Sequence, residues 1–167
     1  MTEFTLRRAV RADLPHLGAI EKAAGAMFPV ERVPDPSQTL SLEDLEQSCA
    51  EDALLVAEAD GVLLGFAVCY EEEDIYLHLE ELSVHPDHGR QGIGRALLME
   101  VVALAQSMQL AAVTLTTFSD IAWNGPFYRS AGFTEIDRES APDYLQQCLR
   151  DEESLGMTER VGMVFRL

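Results

Sequence analysis

Apolar positions along the chain change their period several times, and each change marks an element. Residues 3–9 (EFTLRRA) alternate polar and apolar, the period of a strand. Asp13 and Pro15 then open a helix to about Met27, with Asp13 as the expected N-cap. Three prolines between Pro29 and Gln38 predict a loop, and Ser41 with Asp44 begins a second helix over Leu42 to Cys49. Ala53–Ala59 and Val62–Tyr70 flank Asp60-Gly61, a pair suited to the positive φ angles of a two-residue hairpin turn. After an acidic turn at Glu71 to Asp74, Ile75–Val84 (IYLHLEELSV) alternates again, so strands two, three and four form a meander. From Gly92 to about Met108 apolar residues recur every three to four positions, as on one face of a helix. A strand at Val113–Thr117, a short helix at Asn124–Ser130 closed by Gly132, a strand at Phe133–Ile136, a helix at Asp143 to about Glu153 and a strand at Val161–Arg166 complete the chain. The order β-α-α-β-β-β-α-β-α-β-α-β has no repeat or linker and predicts one α/β domain over residues 1–167 with a mixed sheet.

Charge narrows the function classes. In 167 residues, 12 Lys or Arg stand against 29 Asp or Glu, a formal −17, while 47% hydrophobic residues suffice for a core. That balance excludes a generic basic nucleic-acid binder, whose affinity rests on clustered cations. It leaves room for one small anionic ligand. Residues 33–89 hold 15 acids and no Lys or Arg, so this third of the chain carries −15 and the rest −2. The block ends at Arg90. Cys49, Cys69 and Cys148 have no metal-ligand or redox spacing and read as free thiols of a reducing compartment. The start of the sequence lacks the apolar core of a signal peptide, and no apolar run approaches the about 20 residues that span a bilayer. A cytoplasmic protein with no membrane or nucleic-acid partner is expected. No Ser/His/Asp set and no metal-spaced His/Cys set supports a covalent or metal mechanism.

The most informative stretch is LSVHPDHGRQGIGRALL, Leu82–Leu98, in which a strand enters a glycine-rich loop that opens directly into a helix. Unpaired N–H groups at a helix start, together with the dipole, favour phosphate. The loop is no P-loop, because no Gly-Lys-Ser/Thr follows. It is no dinucleotide fingerprint either, because Gly89, Gly92 and Gly94 give GxxGxG after an antiparallel meander. The stretch resembles the central motif of the GNAT superfamily of acetyl-CoA-dependent N-acetyltransferases, a strand, a proline-containing loop and Gln/Arg-x-x-Gly-x-Gly/Ala at a helix start, with Gly89 in place of the first Gln or Arg. A second block, Asn124-Gly125-Pro126-Phe127-Tyr128-Arg129-Ser130-Ala131-Gly132-Phe133, is similar to that family's N-x-x-x-x-Y-x-x-x-G-F ending.

The resemblance implies a GNAT fold: a mostly antiparallel sheet of about seven strands flanked by helices and splayed between strands four and five. It implies acetyl-CoA as co-substrate, held by the backbone of Leu82, Ser83 and Val84 along the pantetheine arm. Gly89, Arg90, Gln91, Gly92, Ile93, Gly94 and Arg95 surround the pyrophosphate, and Asn124 touches the arm. Tyr128 becomes the acid that protonates the leaving thiolate. Family bases often sit on the fourth strand, at positions that here are Glu80 and His78. Strict alternation puts His78, Glu80, Leu82 and Val84 on one face and Leu79, Glu81 and Ser83 on the other. Met27, Phe28 and Trp123 are candidates for the acceptor pocket or for plain packing. The acidic block, including Glu71–Asp74, suits a cationic small amine or a peptide amine. The alternative reading is a catalytically silent CoA-binding module. The last strand can pair in its own sheet or across a homodimer.

Overall fold

A computed structural model describes residues 2–167. Seven strands form one sheet in the order β1-β2-β3-β4-β5-β7-β6: Thr5–Arg8 (β1), Leu54–Ala59 (β2), Val62–Glu72 (β3), Tyr76–Val84 (β4), Ala112–Phe118 (β5), Thr134–Ile136 (β6) and Arg160–Arg166 (β7). Every neighbouring pair is antiparallel except β4 and β5. The last strand lies between β5 and β6 of its own sheet. Five helices, Leu14–Gly25 (α1), Leu42–Ala50 (α2), Ile93–Ser107 (α3), Gly125–Ser130 (α4) and Asp143–Ser154 (α5), cover the sheet. Among the described residues no helix is long and apolar enough to cross a membrane.

The predicted elements form within a residue or two, because local chemistry specifies them. Asp60 (φ 51°) and Gly61 (φ 77°) make the expected hairpin turn. Ser41 and Asp44 cap α2 reciprocally, the Asp44 N–H donating to Ser41 Oγ at 3.1 Å and the Ser41 N–H to the Asp44 carboxylate at 3.3 Å. One local expectation fails. Asp13 does not cap α1 with its side chain; it accepts the Val10 N–H at 2.8 Å around a short 3₁₀ turn and pairs with Arg7 at 2.7 Å.

Two apolar clusters hold the layers together. On one face, α3 packs Ile93, Leu97, Val101 and Ala105 against Leu55, Ala67, Cys69, Leu77 and Leu79. On the other, α1 and α2 pack Leu14, Leu17, Ile20 and Leu45 against Leu54, Val56, Phe66 and Val68. Burying such side chains contributes about 1.5–3 kcal/mol each against exposure.

Candidate functional site

The parallel ladder between β4 and β5 is short: Tyr76, Leu77 and His78 pair with Ala112, Val113 and Thr114, and then it stops. Beyond it β4 continues to Val84 bonded only to β3, and β5 continues to Phe118 bonded only to β7. The facing edges of Leu79–Val84 and Leu115–Phe118 therefore carry backbone N–H and C=O groups with no ladder partner, in the middle of a sheet. They open into a cavity of about 850 Å³. A volume of this order suits a small molecule.

A β-bulge lies at the start of the splay. Cys69 pairs with Leu79 and Val68 with Glu81, so Glu80 is an extra residue in β4. A bulge bends its strand and resets the alternation. Strict alternation is therefore overturned: His78 shares a face with Glu81 and Ser83, toward α1 and α2, while Leu79, Leu82 and Val84 face α3.

The glycine loop follows. His85 Nδ1 accepts the Asp87 N–H at 3.2 Å, Arg90 (φ 59°) and Gly92 (φ 81°) take left-handed conformations, and α3 starts with no side-chain cap. A Cβ built on Gly92 would meet no protein atom within 4 Å, so the space over the helix start is open. Gly89, Arg90, Gly92, Ile93, Gly94 and Arg95 line the cavity. Arg95 also reaches the Ser130 carbonyl at 3.2 Å, tying α3 to α4. Gln91 is not on the cavity wall; its side-chain oxygen accepts the Thr2 N–H at 3.1 Å.

On the β5 side, residues 119–124 lead from the end of β5 to the start of α4. A Cβ on Gly125 would lie 2.7 Å from the Ser119 carbonyl oxygen, so only glycine permits this crossing. Asn124 Oδ1 accepts the Phe118 N–H at 3.4 Å and its amide donates to the Trp123 carbonyl at 3.0 Å. Tyr128 stacks edge-on with Phe127 and Phe133, at centroid distances of 5.1 and 5.8 Å. Its hydroxyl has no hydrogen-bond partner among the described residues, and the residue lines the cavity. Burial, and then the nearby Glu81 charge, raise the Tyr128 phenol above its ordinary value.

Carboxylates line the other wall. Ser83 Oγ donates to Glu81 Oε1 at 2.6 Å. Burial pushes the Glu81 carboxyl above the usual carboxylate range against that hydrogen bond, with the Glu80 charge adding to the rise. Glu21 on α1 also lines the cavity, and both its oxygens accept the Leu40 N–H, at 3.2 and 3.0 Å. Burial and then Glu81 push the Glu21 carboxyl up to about 7. Neither was among the sequence candidates: Glu81 was assigned to the wrong face, and Glu21 carries no motif. His78 is buried and off the cavity wall. Its Nδ1 lies 3.0 Å from Thr114 Oγ1, which lies 2.6 Å from the Tyr144 hydroxyl; its Nε2 lies 3.5 Å from the Glu80 carboxylate. Glu80 lines the cavity and is about two-fifths exposed, at 41%.

These parts match a known pattern. The profile of the Acetyltransferase (GNAT) family matches residues 19–133. The chain belongs to this family. A curated relative, GCN5-related N-acetyltransferase 3, chloroplastic, from Arabidopsis thaliana, is 26% identical over 83 residues, half of this chain and 34% of that protein. Among solved structures, N-acetylglutamate synthase from Neisseria gonorrhoeae, complexed with coenzyme A and N-acetyl-glutamate, superposes with a TM-score of 0.77 at 21% identity, over 100% of this chain and 36% of that one. The PaiA N-acetyltransferase from Thermoplasma acidophilum, in complex with coenzyme A, gives 0.75 at 17% identity over 99% and 100% of the two chains. At these identities the structures share the GNAT fold. The chain spans about a third of the length of the Arabidopsis relative and of the synthase.

Proposed function

We propose that this GNAT chain uses acetyl-CoA to acetylate a primary amine by direct attack. The observation that carries the reading is the convergence of two unpaired strand edges on the free Tyr128 hydroxyl and the Glu81 carboxyl. The residues fit the co-substrate. The open edge of Leu82–Val84 can pair with the amides of a pantetheine arm, and the space over Gly92 can take a pyrophosphate beside Arg90 and Arg95. Three free cysteines agree with a reducing, cytoplasmic setting.

When bound, acetyl-CoA supplies an acyl group already activated as a thioester. The chain's own groups then have three tasks. Backbone N–H groups of the open β4 edge polarise the carbonyl. Glu81 takes a proton from the incoming ammonium, and a carboxyl raised by burial is better matched to that transfer near neutral pH than an exposed one. Tyr128 gives its proton to the sulfur as the N–C bond forms and the C–S bond breaks, and takes up the second proton that the amine nitrogen sheds; Glu81 passes its proton to solvent, so overall one proton is released per turnover. We assign the base to Glu81 ahead of Glu80 and His78. Glu80 leans on His78, and His78 does not reach the cavity.

Calorimetry with acetyl-CoA, CoA and ATP, followed by thiol release over an amine library, tests the reading. Acetyl-CoA binds and ATP does not, at least one amine releases CoA, and Tyr128→Phe lowers kcat by about 10²-fold or more while acetyl-CoA affinity holds. ATP binding without acetyl-CoA binding overturns it. Tight CoA binding with no release for any amine leaves a silent CoA-binding module.

A further inference from the structure

Arg160 is a buried cation in the cavity wall that the transfer chemistry does not use. It stands on β7 opposite Phe118, on the far wall of the splay from Glu81, and it lines the cavity. Its guanidinium lies over the Phe118 ring at 4.5 Å from the centroid. Glu152 on α5 accepts from Nε at 2.9 Å and from Nη2 at 3.0 Å, and Thr116 Oγ1 accepts from Nη2 at 3.1 Å while donating to Glu152 at 2.5 Å. The plane is thus fixed on one edge and one face, with the side chain only 11% exposed. Among the described residues Nη1 has no hydrogen-bond partner. A buried pair of this kind adds little stability over an apolar pair of the same shape, so fold alone does not explain an arginine held flat in a cavity wall with one nitrogen unbonded.

One wall carries carboxyl groups, and the other carries the Arg160 guanidinium already paired with Glu152. Glu81, with Glu21 behind it on α1, faces the gap from one side and Arg160 from the other, and no ion pair within 4 Å joins them. Phe28, Trp123 and Met157 supply an apolar remainder, the first two rings 5.7 Å apart. Resting on the transfer reading above, we propose that the acceptor is a free α-amino acid with an apolar side chain, whose carboxylate is held by Arg160 Nη1 and whose amine meets Glu81. Arg160 is then a specificity-determining residue, and Glu152 and Thr116 position it. A charge-assisted hydrogen bond through a fixed guanidinium selects for a carboxylate and against the same molecule without one.

Matched acceptors test this: phenylalanine, phenylalaninamide and phenethylamine, and leucine with isoamylamine, each assayed by thiol release with acetyl-CoA. The free acids are preferred by at least about tenfold in kcat/KM, and Arg160→Met collapses that ratio to near one with acetyl-CoA affinity retained. Because Arg160→Met strands the Glu152 carboxylate, the double variant Arg160→Met with Glu152→Gln is measured beside it and gives the same collapse. Amines or amides equal to or better than the acids overturn the inference and leave the transfer reading standing. A preference that survives both variants removes Arg160 from it. No CoA release from any of these five, with release from another amine of the library, overturns the inference alone; no release from any amine of the library, with acetyl-CoA bound, overturns the transfer reading itself.

Discussion

Glu81 and Glu80 are adjacent in sequence and differ in surroundings, and the difference is physical. Glu81 sits in the splay with its carboxyl bonded to Ser83, whereas Glu80 projects from the bulge toward His78. A base whose pKa is raised gains activity as pH rises through that raised value. In the reading proposed here, Glu81→Gln flattens the rising limb of the kcat/KM profile and Glu80→Gln leaves its shape intact; the reverse result moves the base to Glu80. Glu21 gives a stability test. Its folded pKa, about 7, lies above the ordinary carboxyl value of 4.5, so folding favours the protonated form. The cost of burying the ionised group is absent at low pH and grows as pH rises toward 7. Glu21→Gln can still accept the Leu40 N–H, so thermal melts should show stabilisation at pH 8 that shrinks toward zero by pH 4.5. A uniform shift at both values would show that burial of charge is not the cause.

The glycine loop and the bulge act as units larger than any residue. The loop turns β4 into α3 and leaves the first N–H groups of the helix free over open space. Gly92→Val places a side chain there and also strains a left-handed position, at a cost of about 1–3 kcal/mol. A protein that remains folded by circular dichroism but no longer binds acetyl-CoA in calorimetry is the expected outcome, and retained micromolar binding would remove the cradle. Both loop and turn were legible because glycine and Asp-Gly pairs act through local backbone sterics. The bulge was not. It lies in how β3 and β4 register against each other, where Val68 pairs with Glu81 and Cys69 with Leu79. Nothing in IYLHLEELSV marks Glu80 as the extra residue, so the alternation rule moved Glu81 to the wrong face and His78 to the cavity.

Over the whole molecule the −17 charge is unevenly placed relative to the site. Of the acids in residues 33–89, only Asp35, Glu80 and Glu81 line the cavity. The Glu71–Asp74 run ends β3 and turns toward β4 at the opposite end of β4 from Val84, away from the cavity lining. The bulk of the charge acts on ligands only at long range, where salt screens it within about 10 Å at 0.1 M. Stopped-flow association of CoA should accelerate as salt rises from low to physiological values, because screening relieves repulsion between two anions. A fall would show that Arg90 and Arg95 dominate the field. Element order, both GNAT motifs, the open helix start and the place of Tyr128 follow from residues close together in the chain, because periodicity, glycine conformation and helix starts are short-range physics. The acidic and basic walls of the cavity do not. Glu21, Glu81 and Arg160 lie on α1, β4 and β7, far apart in sequence. Sheet order and one inserted residue bring them to the same gap, and packing alone sets which side chains stay unpaired there.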